Sequence, residues 1–324
     1  MNYFLRRLLQ GVLLLIGVSF LTFLFSTLAP GNYLDEMRLN PQISSATLAA
    51  LRSQYQLDRP LPIRYARWMN SIAHGQLGYS FAYNSPVAPL VWIRARNTLL
   101  LTITATLFAW GLALPLGIWS AERRGRLPDR ALSSATATLL VIPDLVLGLG
   151  LLILTARSGW FPTGGLVSVG FENLSPIRKL SDLVMHMALP VTALVLSALP
   201  ILIRHIRAAM AEVLDASYLR AAAAHGIAHR KLLYGYALRA AANPLIALFG
   251  FSVGTLLSGS LLVEIIMSWP GIGPLLLEAI LARDLYVVIG GVLFSTVFLV
   301  AGNFLSDVLL YWADPRIRTA AGAR

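Results

Sequence analysis

The chain has 324 residues, 57% of them hydrophobic and 13% charged, with a mean hydropathy of +0.70, too apolar for an ordinary soluble domain. Its net charge of +11 does not point to nucleic acid, because the basic residues are scattered among gaps between apolar runs and form no basic face with interleaved aromatics. With no cysteine, a disulfide framework, a thiolate metal site and a cysteine nucleophile are all excluded.

The N-terminus carries a short basic head and then an apolar run from Leu8 to Ala29. That run is longer than a signal-peptide core, and no small-x-small cleavage site precedes Pro30 and Gly31, so it reads as a retained first span. Five further runs are long enough to cross a bilayer, at 97–121, 131–155, 183–203, 240–265 and 287–311. The expected fold class is therefore an all-α integral membrane protein with six transmembrane helices. Pro115, Pro143, Pro190, Pro200, Gly254 and Gly259 fall inside these runs, where membrane helices tolerate them because neighbours satisfy the freed backbone groups.

Charge sets the expected orientation. With the N-terminus inside, the cytoplasmic pieces hold fifteen Lys and Arg, against four in the short outside connections; the seven in the long 30–96 segment orient weakly. Both termini are expected in the cytoplasm. The chain divides into the N-terminal end and first span (1–29), an extracytoplasmic segment (30–96) and a five-helix core (97–324) with a cytoplasmic loop at 205–240. Within the outside segment a short helix is expected from a Ser44 or Ser45 cap through Leu48, Leu51 and Tyr55. Turns are expected at Arg59-Pro60, Leu61-Pro62 and Ser85-Pro86.

The cytoplasmic loop carries DASYLRAAAAHGIAHRKLLYGYALRAAANP, residues 215–244. Asp215 and Ser217 are good N-cap types, residues 220–225 favour helix, and Gly226 is the residue expected just past a helix end. A short helix, a glycine corner and a second helix result, too polar for lipid and too small to bury a core alone. Alanines 221–224 offer a smooth surface for another protein's groove, with Tyr218, Leu219 and Ile227 as apolar anchors. A solvated positive-inside loop would also account for its Arg and Lys, so residue chemistry leaves both readings open.

The run Arg220, Ala221, Ala222, Ala223, Ala224, His225 and Gly226, followed by Ala237-Leu238-Arg239 and Pro244, resembles the EAA-type coupling loop of ABC importer permeases. More narrowly the chain resembles the dipeptide, oligopeptide and nickel permease family. Leu5-Arg6-Arg7, Pro30-Gly31, residues 57–61, Leu77-Gly78-Tyr79-Ser80, Val263-Glu264, Pro270-Gly271-Ile272-Gly273, Arg283-Asp284 and Asp314-Pro315-Arg316-Ile317-Arg318 agree in order and spacing. Departures include Arg220 in place of an acid, as in the peptide branch, and Ala223, His225, Tyr236, Ala240 and Gln76.

The resemblance implies a type I importer permease that moves peptides or similar small solutes by alternating access. It implies a second, homologous permease (a heterodimer), two ATP-binding-cassette ATPase subunits and an extracytoplasmic solute-binding protein. Residues 218–227 would seat in the ATPase. Nickel chelates or glutathione are alternative cargo within the family. No G-x-x-x-x-G-K-[ST] loop occurs, so no cofactor is expected in this chain, and ATP and Mg belong to the partners. The chain is not expected to be an enzyme; no nucleophile, base and oxyanion set is assembled. A self-sufficient ion-coupled carrier is the alternative from another class, and it should show several intramembrane ionisable groups.

Asp144, beside Pro143 in the third run, would cost about 2.5 to 3.5 kcal/mol charged and facing lipid, so it is expected to face inward. It is either a pathway residue for a cationic part of the solute or a structural acid satisfied by neighbouring backbone. Glu264, at the outer end of the fifth run, is an outer-gate or binding-protein contact, or else a helix-end charge; Asp307 reads as structural. His225 and His229 are four apart with Gly226 between them and no third ligand near, so no metal site is expected.

Overall fold

The computed structural model describes residues 3–28, 44, 53 and 59–314. The helix expected between Ser44 and Tyr55 falls on residues that, apart from 44 and 53, lie outside those described. In chain order the described elements are α1 (Tyr3–Leu28), α2 (Leu61–Ala73), a hairpin of β1 (Tyr79–Ser80) and β2 (Ser85–Pro86), α3 (Val87–Glu122), α4 (Leu127–Val141) and α5 (Asp144–Ser158). There follow α6 (Pro176–Leu214), α7 (Ser217–Ala224), a π-helical stretch Lys231–Ala237 that continues through Leu238–Ala240, α8 (Ala242–Ile266), α9 (Ile272–Leu281) and α10 (Leu285–Ala313).

Five of these, α1, α3, α6, α8 and α10, are long and apolar enough to cross a membrane. The third expected run is not one straight helix: α4 and α5 meet at an angle of 97°. Pro143 is the cause. It has no N–H to continue the ladder and pushes Ile142 into extended backbone (φ −77°, ψ 118°), so a fresh helix begins at Asp144. Leu61-Pro62, expected as a turn, instead opens α2, where proline's fixed φ suits the first helical turn.

The chain separates into two compact units, the division running through α3 and α10. One comprises Met1–Leu5, Leu99–Trp269 and Leu299–Arg324; the other comprises Arg6–Thr98 and Pro270–Phe298. In the first, α6 packs against α4, α5 and α8, and Leu194, Leu202, Ile206 and Met210 form the centre of its core. Small residues set the spacing of α8 and α10: a Cβ on Gly254 would lie 2.5 Å from Leu299, and one on Gly302 2.5 Å from Val253.

In the second unit Phe23, Trp68 and Ile289 form the core, and Tyr65, Met69 and Ile72 of α2 pack around it at helical spacing. Trp68 donates its Nε1–H to the carbonyl of Leu77 (3.1 Å). The hairpin is fixed by Asp284, whose Oδ2 accepts from Ser80 Oγ (2.6 Å) and the Ala82 amide (3.1 Å). Gly78 enters the hairpin at φ +105°, and a Cβ there would lie 2.8 Å from the Tyr286 ring, so both backbone and space require glycine.

Candidate functional site: a helical elbow

The 215–240 stretch forms the expected short helix and glycine corner. Helix α7 spans Ser217–Ala224 after Ala216, and no side chain caps its start. It ends through His225 into Gly226, at φ +76°, whose N–H donates to Ala223 O (3.0 Å) while Ile227 N–H reaches Ala222 O (3.4 Å). This is the left-handed closure that glycine adopts without Cβ strain.

The two faces of α7 differ. Leu219 is 2% exposed and joins the unit's own core, with Ala222 and Ile227 packed against it. Tyr218 is 53% exposed, and Arg220, Ala221, Ala223, Ala224 and His225 are exposed as well. Of the three expected anchors, only Tyr218 is therefore presented outward; Leu219 and Ile227 fasten the elbow to the bundle.

Three polar ties hold the connection between α3 and α4 to the segment that carries the elbow. Asp129, 2% exposed in the first turn of α4, accepts from Arg207 Nε (2.5 Å) and Nη2 (2.7 Å), from Ser120 Oγ (2.6 Å) and from the Gly125 amide (2.8 Å). A buried carboxylate held by four donors is fully satisfied, and a bidentate guanidinium fixes its plane. Arg124 Nη1 donates to Asp215 Oδ2 (2.8 Å), so the acid expected to cap α7 is engaged by the loop instead. His229 Nε2 meets Glu122 Oε1 at 2.7 Å, which gives His229 a role other than metal ligation.

Asp129, Arg207 and Ser120 carry no signal as a group in the sequence alone. A lone acid next to four arginines looks like loop charge; its pairing across 78 positions is visible only once α4 lies against α6.

Asp144 and Glu264, the acids expected at the pathway or gate, take different settings. Asp144 is the first residue of α5, exposed in this chain, and its Oδ1 accepts from Ser197 Oγ of α6 (2.5 Å). An acid at a helix N-terminus is favoured by the local dipole. Glu264 is fully buried near the end of α8, and its carbonyl accepts from the amide of buried Trp269 (2.8 Å).

Residues 113–319 match the family model described as binding-protein-dependent transport system inner membrane component, and residues 1–102 match the N-terminal model of the same systems. The chain belongs to this family. It is 33% identical over 317 residues to the oligopeptide transport system permease protein AppB of Bacillus subtilis (strain 168), covering 97% of this chain and 98% of that one. It is also 33% identical over 336 residues to the dipeptide transport system permease protein DppB of Escherichia coli (strain K12), covering 98% and 99%. The glutathione transport system permease protein GsiC of Salmonella paratyphi A is 32% identical over 321 residues, with 98% and 99% covered.

In fold, the chain is similar to a chain of the MetNI methionine ABC transporter in its inward-facing conformations. The TM-score is 0.52 at 17% identity, over 68% of this chain and 96% of that one. This binding-protein-dependent permease is thus a multi-pass inner-membrane subunit with the type I importer fold, and is not itself an enzyme.

Proposed function

We propose that the chain is the permease of a peptide importer in which the elbow at 218–227 seats in a cleft of the ATPase and transmits its closure to the spans. The observation that carries this reading is the two-sidedness of α7. Its inner side is fixed to the bundle by Leu219, while its outer side, Tyr218 with a run of alanines, has no mate within the described residues. A surface of that kind closes under a partner's groove, and three ties to the preceding loop make it stiff enough to carry force. The peptide and glutathione permeases among its relatives support a small, carboxylate-bearing solute.

In this reading both termini are cytoplasmic, a homologous permease completes the pathway, and a solute-binding protein delivers cargo from outside. Asp144 lines the pathway and meets a cationic group such as a peptide ammonium; its position at a helix break and its exposure in the single chain support that role. Full burial of Glu264 fits an outer gate better than a contact with the binding protein. The spans then alternate between inward-open and outward-open states as the ATPase binds and hydrolyses ATP.

The test is uptake by proteoliposomes that hold the whole transporter. Labelled dipeptide should enter only with ATP and binding protein, and a cysteine at Tyr218 should cross-link to the ATPase. Uptake by the permease without an ATPase would sink the importer reading; uptake of glutathione with no dipeptide uptake would move the cargo to that class.

A further inference from the structure

The unit formed by 6–98 and 270–298 holds a cavity of about 590 Å³ that the transport reading does not use. Arg59, Arg64 and Arg67 line it beside Trp68, Tyr79 and Tyr286, and among the described residues no acid is part of its wall. None of the three arginines forms an ion pair with a described residue. The Nε of Arg64 is buried and has no hydrogen-bond partner among the described residues; its guanidinium lies 5.6 Å from the Phe23 ring centroid, a contact that offers the N–H groups no acceptor.

The amphipathicity of α2 explains how these charges gather. Leu61, Tyr65, Trp68 and Ile72 turn one side to the core, which leaves Arg64, Arg67 and Ser71, at helical spacing, along the edge that borders the cavity. Ala88 and Tyr286, also in the wall, stand in the first turns of α3 and α10, whose positive helix ends add to the field of the arginines. Ile63 of α2 and Trp92 of α3 are exposed large apolar side chains on two of the helices that contribute to the cavity wall.

We propose that this cavity is an oxyanion site that takes a phosphate group, presented as the phosphodiester of a glycerophospholipid headgroup or as free phosphate. Several guanidiniums suit a group with several acceptor oxygens, and Ile63 and Trp92 provide apolar surface for the upper part of an acyl chain. The site is independent of which solute the permease carries.

The experiment uses the assembled transporter in detergent, with lipid retention read by native mass spectrometry after exposure to phosphatidylglycerol or to diacylglycerol as a phosphate-free control. The intact transporter should retain phosphatidylglycerol and not diacylglycerol, and Arg64→Gln with Arg67→Gln should weaken retention by roughly tenfold or more. Arg59→Gln, exposed and outside α2, should weaken it in the same direction; it decides the matter if the double variant fails to assemble. Inorganic phosphate is the second arm. If it displaces the lipid, or binds where no lipid is retained, the site serves free phosphate; if retention is indifferent to it, the headgroup is the ligand. Equal retention of diacylglycerol, or variants that retain phosphatidylglycerol as the unaltered transporter does and respond to phosphate alike, would overturn the proposal.

Discussion

Arg207 grips Asp129 through two hydrogen bonds, Nε to Oδ1 at 2.5 Å and Nη2 to Oδ2 at 2.7 Å, and so joins α4 to α6 at the end of the bundle nearest the elbow. Removing one partner leaves a buried charge without its mate, at a cost of about 3 to 5 kcal/mol. Asp129→Asn and Arg207→Met should therefore each lower the melting temperature of the purified transporter. The double variant Asp129→Asn with Arg207→Met should fall less than the sum of the two. Additive losses would mean that the pair is not coupled.

At Gly226 the strain is purely conformational: φ is +76° and nothing lies within 4 Å of a built Cβ. Gly226→Val should cost about 1 to 2 kcal/mol at the corner, while Gly226→Asn, which tolerates this region, should cost less. With the coupling role proposed above, the valine variant should insert and assemble but hydrolyse ATP without matching uptake. Normal uptake per ATP in that variant would remove the corner from the mechanism.

Gly78 differs because a side chain there meets both a forbidden φ and the Tyr286 ring. Gly78→Ala should destabilise the transporter by about 1 to 3 kcal/mol, seen as earlier thermal unfolding. Adding Tyr286→Ala should recover only the steric part. Complete recovery would show that backbone strain is negligible.

Tyr83, in the β1–β2 turn, donates its hydroxyl to Glu278, and burial followed by that bond pushes its phenol from the ordinary 10.0 up to about 12. The folded state holds this proton more tightly than the unfolded one. Its contribution to stability is complete below pH 10 and is lost as pH climbs towards 12. An ultraviolet phenolate titration should show a step near pH 12, and Tyr83→Phe should abolish it. A late step that survives the substitution would assign it elsewhere.

The sequence by itself determined the broad class and the elbow. Runs of apolar residues longer than a soluble helix needs have no stable place but a bilayer, and a helix followed by glycine closes in one way. Both are local properties, written in consecutive residues. Tertiary structure alone decided the rest. Whether Pro143 merely bends a span or breaks it depends on what can receive the two halves, and here α5 restarts at Asp144 against Ser197. Which anchors of α7 point outward depends on the rotation of an eight-residue helix about its axis, fixed only when Leu219 finds the core. Asp129 and Arg207, 78 positions apart, become one feature only through packing, because burial and pairing are properties of three-dimensional neighbours and not of chain order.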